Sequence, residues 1–172
     1  MFARRMISGF GLLARSLPAL LLGGLAVATI TGLTACLPGS GAFLTLSPVP
    51  FEMKVPAGIA PRLVTGPVEG PFGEQVRQAG ALASTTVYYR PVEQGDKVIF
   101  ATAYWFPAAK FDALQSPDQP PLFGTEVLRQ DGNVLSVAGP IDAIFAPDTP
   151  DGRNLTALYG VIYLPETYRA IE

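Results

Sequence analysis

The chain has 172 residues, a formal net charge of −2, a single cysteine and no histidine. The lack of histidine excludes Ser-His-Asp and Cys-His hydrolysis, and it excludes zinc or haem sites that depend on histidine ligands. The mild acidity argues against nucleic acid as a partner and against direct adhesion of the domain to anionic lipid. One cysteine cannot form a disulfide within the chain.

The first 35 residues have the three-part build of a secretory signal. Arg4, Arg5 and Arg15 make the beginning positive, and residues 16–35 carry no charge. An apolar stretch partitions into a bilayer, while the arginines before it stay on the cytoplasmic side. Residues 1–35 are therefore predicted to be an export signal. An uncleaved transmembrane anchor of about 20 apolar residues is the alternative.

The cysteine lies directly behind one aliphatic and two small residues, in the order Leu33, Thr34, Ala35, Cys36. This tetrad resembles the lipobox of bacterial lipoproteins. The resemblance implies that a diacylglyceryl group joins the Cys36 thiol and that a peptidase cuts before it. The expected location is therefore the extracytoplasmic side of a membrane of the bacterial cell envelope, held there by lipid. Leu37 rather than Asp follows the cysteine, which resembles lipoproteins that are passed on to the outer membrane, so that membrane is expected where the host has one.

The length that remains after the signal suits one globular domain. All 14 acidic residues lie in this part, but three of the 12 basic residues belong to the signal, so its net charge is near −5. Residues 36–50 are predicted to be the lipidated cysteine and a tether rich in proline and glycine. Phe43 and Leu46 are apolar for a tether, so its second half is expected to dock on the domain at 51–172. That domain carries no family resemblance.

Prolines and an amphipathic pattern determine the first elements expected after the tether. The prolines in 51–72 forbid long helices and favour short extended pieces at 51–55 and 62–65, on the edge of a sheet. The spacing of apolar residues predicts a helix over 73–84. A second short helix is predicted over 107–114, with its proline in the first turn.

Two hairpins are predicted from composition and turn chemistry. Residues 85–92 and 97–106 are rich in β-branched and aromatic side chains and flank a short loop with glycine. Both faces of the second segment are apolar, so it is expected in the centre of a sheet. The second hairpin joins 125–129 to 134–138 around the pair at 131–132, Asp-Gly, which supplies the positive φ angles of a type I′ turn.

A last strand is predicted over 157–164. Together the elements predict a β-rich α+β domain, an antiparallel sheet built from hairpins with one or two short helices. A small all-β sandwich or barrel is the alternative.

Aromatic side chains on the predicted strands are the candidates for a binding face. They are Tyr104, Trp105, Tyr159 and Tyr163. On an exposed sheet they would stack on sugar rings or on a protein partner. Alternating strand positions are also typical of core residues, which is the competing interpretation.

Acidic side chains are the remaining candidates for chemistry. A carboxylate hydrolase needs two acids across a cleft, and Glu74, Glu126 and Asp142 lie nearest to predicted elements. Solvated surface charge is the alternative. Asp142, Asp148 and Asp151 share one loop and offer oxygen ligands for Ca²⁺, but the EF-hand pattern is missing and a simple turn explains the loop. No metal and no cofactor is therefore predicted.

No nucleophile elbow, phosphate loop or dinucleotide fingerprint is present in the sequence. The prediction is a membrane-anchored envelope lipoprotein that acts as a non-enzymatic binding or assembly module, with an envelope protein or glycan as partner. A glycan or small-ligand binder with an aromatic sheet face is one alternative. A carboxylate-based hydrolase of a cell-wall polymer is the other.

Overall fold

A computed structural model of the chain describes residues 41–93, 95–116 and 118–171. The predictions made for residues 1–40, which include the signal, the lipobox and Cys36, lie outside the described residues. Of the helices in the described ranges, none is both long and apolar enough to cross a bilayer.

The described residues form eight β-strands and three α-helices. The strands are β1 (Gly41–Thr45), β2 (Phe51–Pro56), β3 (Leu63–Gly66), β4 (Ala83–Tyr89), β5 (Val98–Pro107), β6 (Thr125–Gln130), β7 (Asn133–Ala138) and β8 (Tyr168–Ala170). The helices are α1 (Gly70–Gln78), α2 (Ala108–Ala113) and α3 (Pro150–Tyr159). Single 3₁₀ turns lie at Ala60–Arg62 and Pro165–Thr167.

The strands divide between two antiparallel sheets. One has three strands in the order β1-β2-β8, and the other has five in the order β3-β4-β5-β7-β6. The predicted β-rich α+β class is confirmed, because helices α1, α2 and α3 accompany the two sheets.

Both predicted hairpins are confirmed. β4 pairs with β5, and β6 pairs with β7, each in antiparallel register. Asp131 and Gly132 have φ angles of 50° and 73°, as the predicted turn requires. β5 is the middle strand of the larger sheet, as its apolar faces indicate.

Residues 41–50 lie on the domain. β1 pairs with β2 along its whole length, and both Leu46 and Val49 are buried behind it. The second half of the predicted tether thus docks on the domain as an added strand, β1. The folded part therefore begins before the predicted boundary at Phe51.

The strand predicted over 157–164 is wrong. Pro150–Tyr159 forms α3 instead, and the last strand is the short β8. The helix begins because the Thr149 hydroxyl accepts a hydrogen bond from the Gly152 amide at 3.0 Å, which caps its first turn. Leu155 and Leu158 are both buried and three residues apart, a spacing that shares one face of a helix but falls on opposite faces of a strand.

The helix predicted over 73–84 forms, but within different bounds. It runs from Gly70 to Gln78 as α1. Gly80, with a φ angle of 88°, follows it in the left-handed conformation that commonly ends helices. The residues from Ala83 onward belong to β4. The predicted helix over 107–114 is confirmed as α2, with Phe111 buried as expected.

The five-stranded sheet is covered differently on its two faces. On one face the three-stranded sheet and α3 enclose the larger core, where the Phe51 and Trp105 rings meet at 5.1 Å. On the other face α1 and α2 enclose a smaller core, which includes Val76, Phe106 and Phe111. This second face carries the candidate site.

Candidate binding groove on the five-stranded sheet

An open groove lies on the helix-bearing face of the five-stranded sheet. The side chains beneath the helices are tightly packed, with the Phe106 and Phe123 rings at 5.3 Å. Beyond this packing the sheet is open, and the space above it has a volume of about 650 Å³. We call this space the sheet groove.

Two neighbouring strands provide the floor of the sheet groove. Thr86 of β4 lies opposite Thr102 of β5, and Tyr88 lies opposite Ile99. Residues that are paired across neighbouring strands project to the same side of the sheet. Tyr104, two residues beyond Thr102, continues the floor towards the helices.

A β-bulge exposes Ile99. The pairing passes from Val87 opposite Ala101 to Tyr88 opposite Ile99, which leaves Phe100 as the extra residue. Phe100 is fully buried on the opposite face, where its ring lies 5.5 Å from that of Tyr159. A bulge re-aims side chains relative to the regular alternation. Ile99 is consequently 58% exposed, on the floor of the groove.

The walls of the groove come from the ends of other elements. Glu69 and Phe72 stand on one side, at the beginning of α1, while Leu122 and Pro140 line the groove from segments beside β6 and β7. Phe72 is 38% exposed and Leu122 is 54% exposed. Exposed apolar residues that are grouped in this way are typical of binding surfaces.

The chemistry of the groove suits binding. Thr86, Thr102 and Tyr104 line the floor but are buried there, so its exposed surface is mainly apolar, with Ile99 the most exposed residue of the two floor strands. Burial raises the pKa of Tyr104, whose hydroxyl, like that of any tyrosine, is protonated at neutral pH. The ammonium of Lys97 lies 3.8 Å from the centre of the Tyr88 ring, a cation–π contact at the side of the groove. Such a site can hold a ligand mainly through apolar contacts.

The four candidate aromatic residues do not form one face. Tyr104 is almost fully buried on the groove side, where it packs against Phe123 with the ring centres at 5.6 Å. Trp105 projects to the opposite face and packs against Phe51. Neighbouring residues of a strand point to opposite sides, so these two side chains cannot share a surface.

The other two candidates belong to the region of α3. Tyr159 is half-buried against Phe100, and burial raises its pKa. Tyr163 is 43% exposed, and its hydroxyl accepts a hydrogen bond from the Gly139 amide at 3.1 Å. Of the four, only Tyr104 lines the sheet groove.

The candidate acids for hydrolysis lie on separate elements. Glu74 of α1 accepts a hydrogen bond from Arg77, which lowers the pKa of the carboxyl. Glu126 of β6 forms an ion pair with Arg129 at 2.7 Å. Asp142 is exposed and lines a cavity of about 360 Å³ beside α3 that contains no second acid. Ion pairs of this kind are typical of surface charges.

The three aspartates proposed as calcium ligands are not brought together. Asp151 lies in the first turn of α3, where its Oδ1 accepts hydrogen bonds from the Tyr89 hydroxyl at 2.6 Å and from the Val92 amide at 2.7 Å. Asp142 and Asp148 are exposed. Within the described ranges, no group of three or more acidic or cysteine side chains is placed to hold a metal ion.

Most of the residues that shape the groove were missed by sequence reasoning. No sequence pattern around Ile99, Phe72 or Leu122 marks these residues as exposed, and Tyr104 is the one groove residue among the named aromatic candidates. No protein-family model, no curated protein and no solved structure matches the chain. The features of the chain that bear on function are therefore the groove and the sequence around Cys36.

Proposed function

We propose that the chain is a lipoprotein of the bacterial cell envelope whose domain is a non-enzymatic binding module. The anchor is the lipid on Cys36, supported by the resemblance of Leu33, Thr34, Ala35 and Cys36 to a lipobox after an export signal. The binding part is supported by one observation, the half-covered face of the five-stranded sheet with its open groove.

The dimensions and the lining of the groove favour a bound partner. Ligand sites are commonly clefts of about 300–1,000 Å³, mostly apolar with a few polar groups, and the volume of about 650 Å³ falls in that range. Ile99 and Leu122 expose more than half of their surface there. Burial of these side chains by a partner would contribute about 25 cal/mol for each Å² of apolar surface removed from water. The ligand we expect is an uncharged or apolar segment of an envelope component.

The lining of the groove also favours binding over catalysis. Glu69 is the one carboxylate among the lining residues, and general acid–base hydrolysis by carboxylates needs a pair. This composition matches a site that recognises the shape of an apolar or uncharged partner.

Site-specific photocrosslinking in living cells tests this proposal. A photoreactive residue replaces Ile99 on the groove floor, and in a matched control it replaces Leu82, which is equally exposed at 59% but lies outside the groove. We expect a discrete crosslinked product from position 99 that is absent from position 82. Identical products at both positions, or none at position 99 in a folded and membrane-bound chain, would contradict the proposed role of the groove.

A further inference from the structure

The tether between the proposed anchor and the domain is short. Gly41 begins β1 only five residues after Cys36, and an extended chain spans at most about 3.6 Å per residue. The first residue of β1 therefore lies within about 18 Å of the anchored cysteine. A domain of this size is about 35 Å across. The anchor thus restricts which surfaces of the domain can reach the bilayer, and those next to β1 are favoured.

The surface next to β1 is the outer face of the three-stranded sheet. Phe43 of β1 lies opposite Lys54 of β2, and Glu52 of β2 lies opposite Arg169 of β8. The Phe43 ring is 43% exposed, with the guanidinium of Arg169 3.5 Å from its centre. Arg169 also donates from Nε to Glu52 at 2.7 Å. We call these four side chains the outer patch.

The charge of the outer patch differs in sign from that of the whole domain. Its two cations and one acid give a net charge of +1, whereas residues 36–172 together carry about −5. Lysine and arginine side chains around an aromatic ring are typical of protein surfaces at the membrane–water interface. Each cation close to an anionic bilayer raises the equilibrium constant for contact with that bilayer by about fivefold.

We propose that the outer patch rests on the anionic headgroups of the bilayer that holds Cys36. This inference rests on the lipid anchor of the proposed function. The three-stranded sheet covers one face of the five-stranded sheet, and the sheet groove opens on the other face. Contact through the outer patch therefore turns the groove away from the membrane, towards partners in the surrounding compartment.

Spin labels on the lipidated full-length protein test this orientation. Single cysteines are introduced at Thr45, on the outer face of β1, and in a second chain at Glu69, an exposed residue at the rim of the groove. Both proteins are reconstituted in vesicles of phosphatidylglycerol and phosphatidylcholine. We expect the label at position 45 to be shielded from a water-soluble nickel complex, while the label at position 69 collides with it freely. Equal collision rates, or shielding at position 69 alone, would overturn the orientation.

A charge variant tests the chemistry of the contact. Lys54→Gln should shift the balance between the shielded and free states at position 45 by about fivefold towards the free state. Lys110→Gln, which removes an exposed lysine from α2 on the opposite side, is the matched control and should leave the balance unchanged. Equal effects of the two variants would overturn the role of the outer patch.

A thiol reagent on the unlabelled native chain shows whether a negative result comes from a wrong orientation or from a missing lipid anchor. A lipidated Cys36 has no free thiol, so the chain without an introduced cysteine should take up no thiol reagent. Uptake by that chain would overturn both the anchor and the orientation. If uptake is absent and the labels at positions 45 and 69 collide equally, the orientation is wrong and the proposed function stands.

Discussion

A buried polar cluster connects α3 to the end of β4. The Tyr89 hydroxyl donates to Asp151 at 2.6 Å and accepts from the Asn154 side chain at 2.8 Å. Tyr89 is fully buried, and Asp151 is nearly so. Hydrogen bonds to a buried carboxylate stabilise a fold because the charge would otherwise be left without partners. This cluster holds the beginning of α3 in place against the larger sheet.

Removal of the Tyr89 hydroxyl should therefore destabilise the domain. We expect Tyr89→Phe to lower the free energy of unfolding by about 1–3 kcal/mol, because Asp151 loses one of its donors. Urea denaturation measures this change. The matched control is Tyr88→Phe, on the next residue, whose half-buried side chain faces the groove; it should change the free energy by less than about 0.5 kcal/mol. Equal losses for the two variants would show that the cluster contributes nothing specific.

The raised pKa values of two other buried tyrosines predict how the stability of the domain depends on pH. Burial raises the pKa of Tyr104 and of Tyr168, whose hydroxyl donates to the Ile162 carbonyl at 2.6 Å. The unfolded chain loses these protons near pH 10, while the folded chain retains them to higher pH. Above about pH 10 the unfolded state thus binds fewer protons, and stability falls as the pH rises. Below that pH the contribution is fully present.

Urea midpoints at about pH 8 and about pH 11 measure this effect. We expect a clear decrease at the higher pH for the native chain and a smaller decrease for Tyr168→Phe, which lacks one of the titrating hydroxyls. A midpoint that is the same at both values would mean that these tyrosines titrate alike in the folded and unfolded chains.

At the scale of elements, the β6–β7 region contains two glycines that have similar φ angles but different neighbouring atoms. Gly124 and Gly132 have φ angles of 75° and 73°. A Cβ atom on Gly124 would lie 2.3 Å from the backbone carbonyl of Val137, whereas one on Gly132 would meet nothing within 4 Å. The first glycine is needed for space and conformation, and the second for conformation alone.

Alanine substitutions at these two positions should therefore differ. Gly132→Ala should cost about 1–2 kcal/mol, the usual penalty for a left-handed conformation. Gly124→Ala should cost clearly more, because the segment before β6 must also move away from β7. Thermal unfolding of the two variants compares them directly. A cost at Gly124 no greater than that at Gly132 would contradict the close approach of the two segments.

Elements specified by local chemistry could be predicted from the sequence, while those that depend on distant partners could not. Asp131 and Gly132 determine their turn by backbone preference, so the β6–β7 hairpin was predicted with nearly its observed bounds. The segment after Thr149 was predicted as a loop and a strand, although Thr149 and Pro150 are a helix cap and a favoured first helical residue. The aromatic and branched residues that follow favour a strand locally, and packing against the larger core overrides that preference.

At the scale of the whole molecule, the candidate groove could not be predicted from the sequence. Ile99 is exposed because of a bulge and because α1 and α2 cover only part of the sheet. Neither cause is visible near Ile99 in the chain. Tyr104 was a candidate for binding and does line the groove, but Trp105 beside it belongs to the core between the sheets. Exposure of a sheet face depends on which elements pack over it, which is a property of the complete fold.

The proposed location of the protein and the proposed orientation of its groove both depend on the proposed lipid on Cys36. Intact mass spectrometry of the protein extracted from its own membranes tests this lipidation, with Cys36→Ala as the control. We predict a chain that begins at residue 36 and carries the added mass of a diacylglyceryl group, and a control that is neither lipidated nor cut there. A native chain that begins at Met1 with a free thiol would contradict the account.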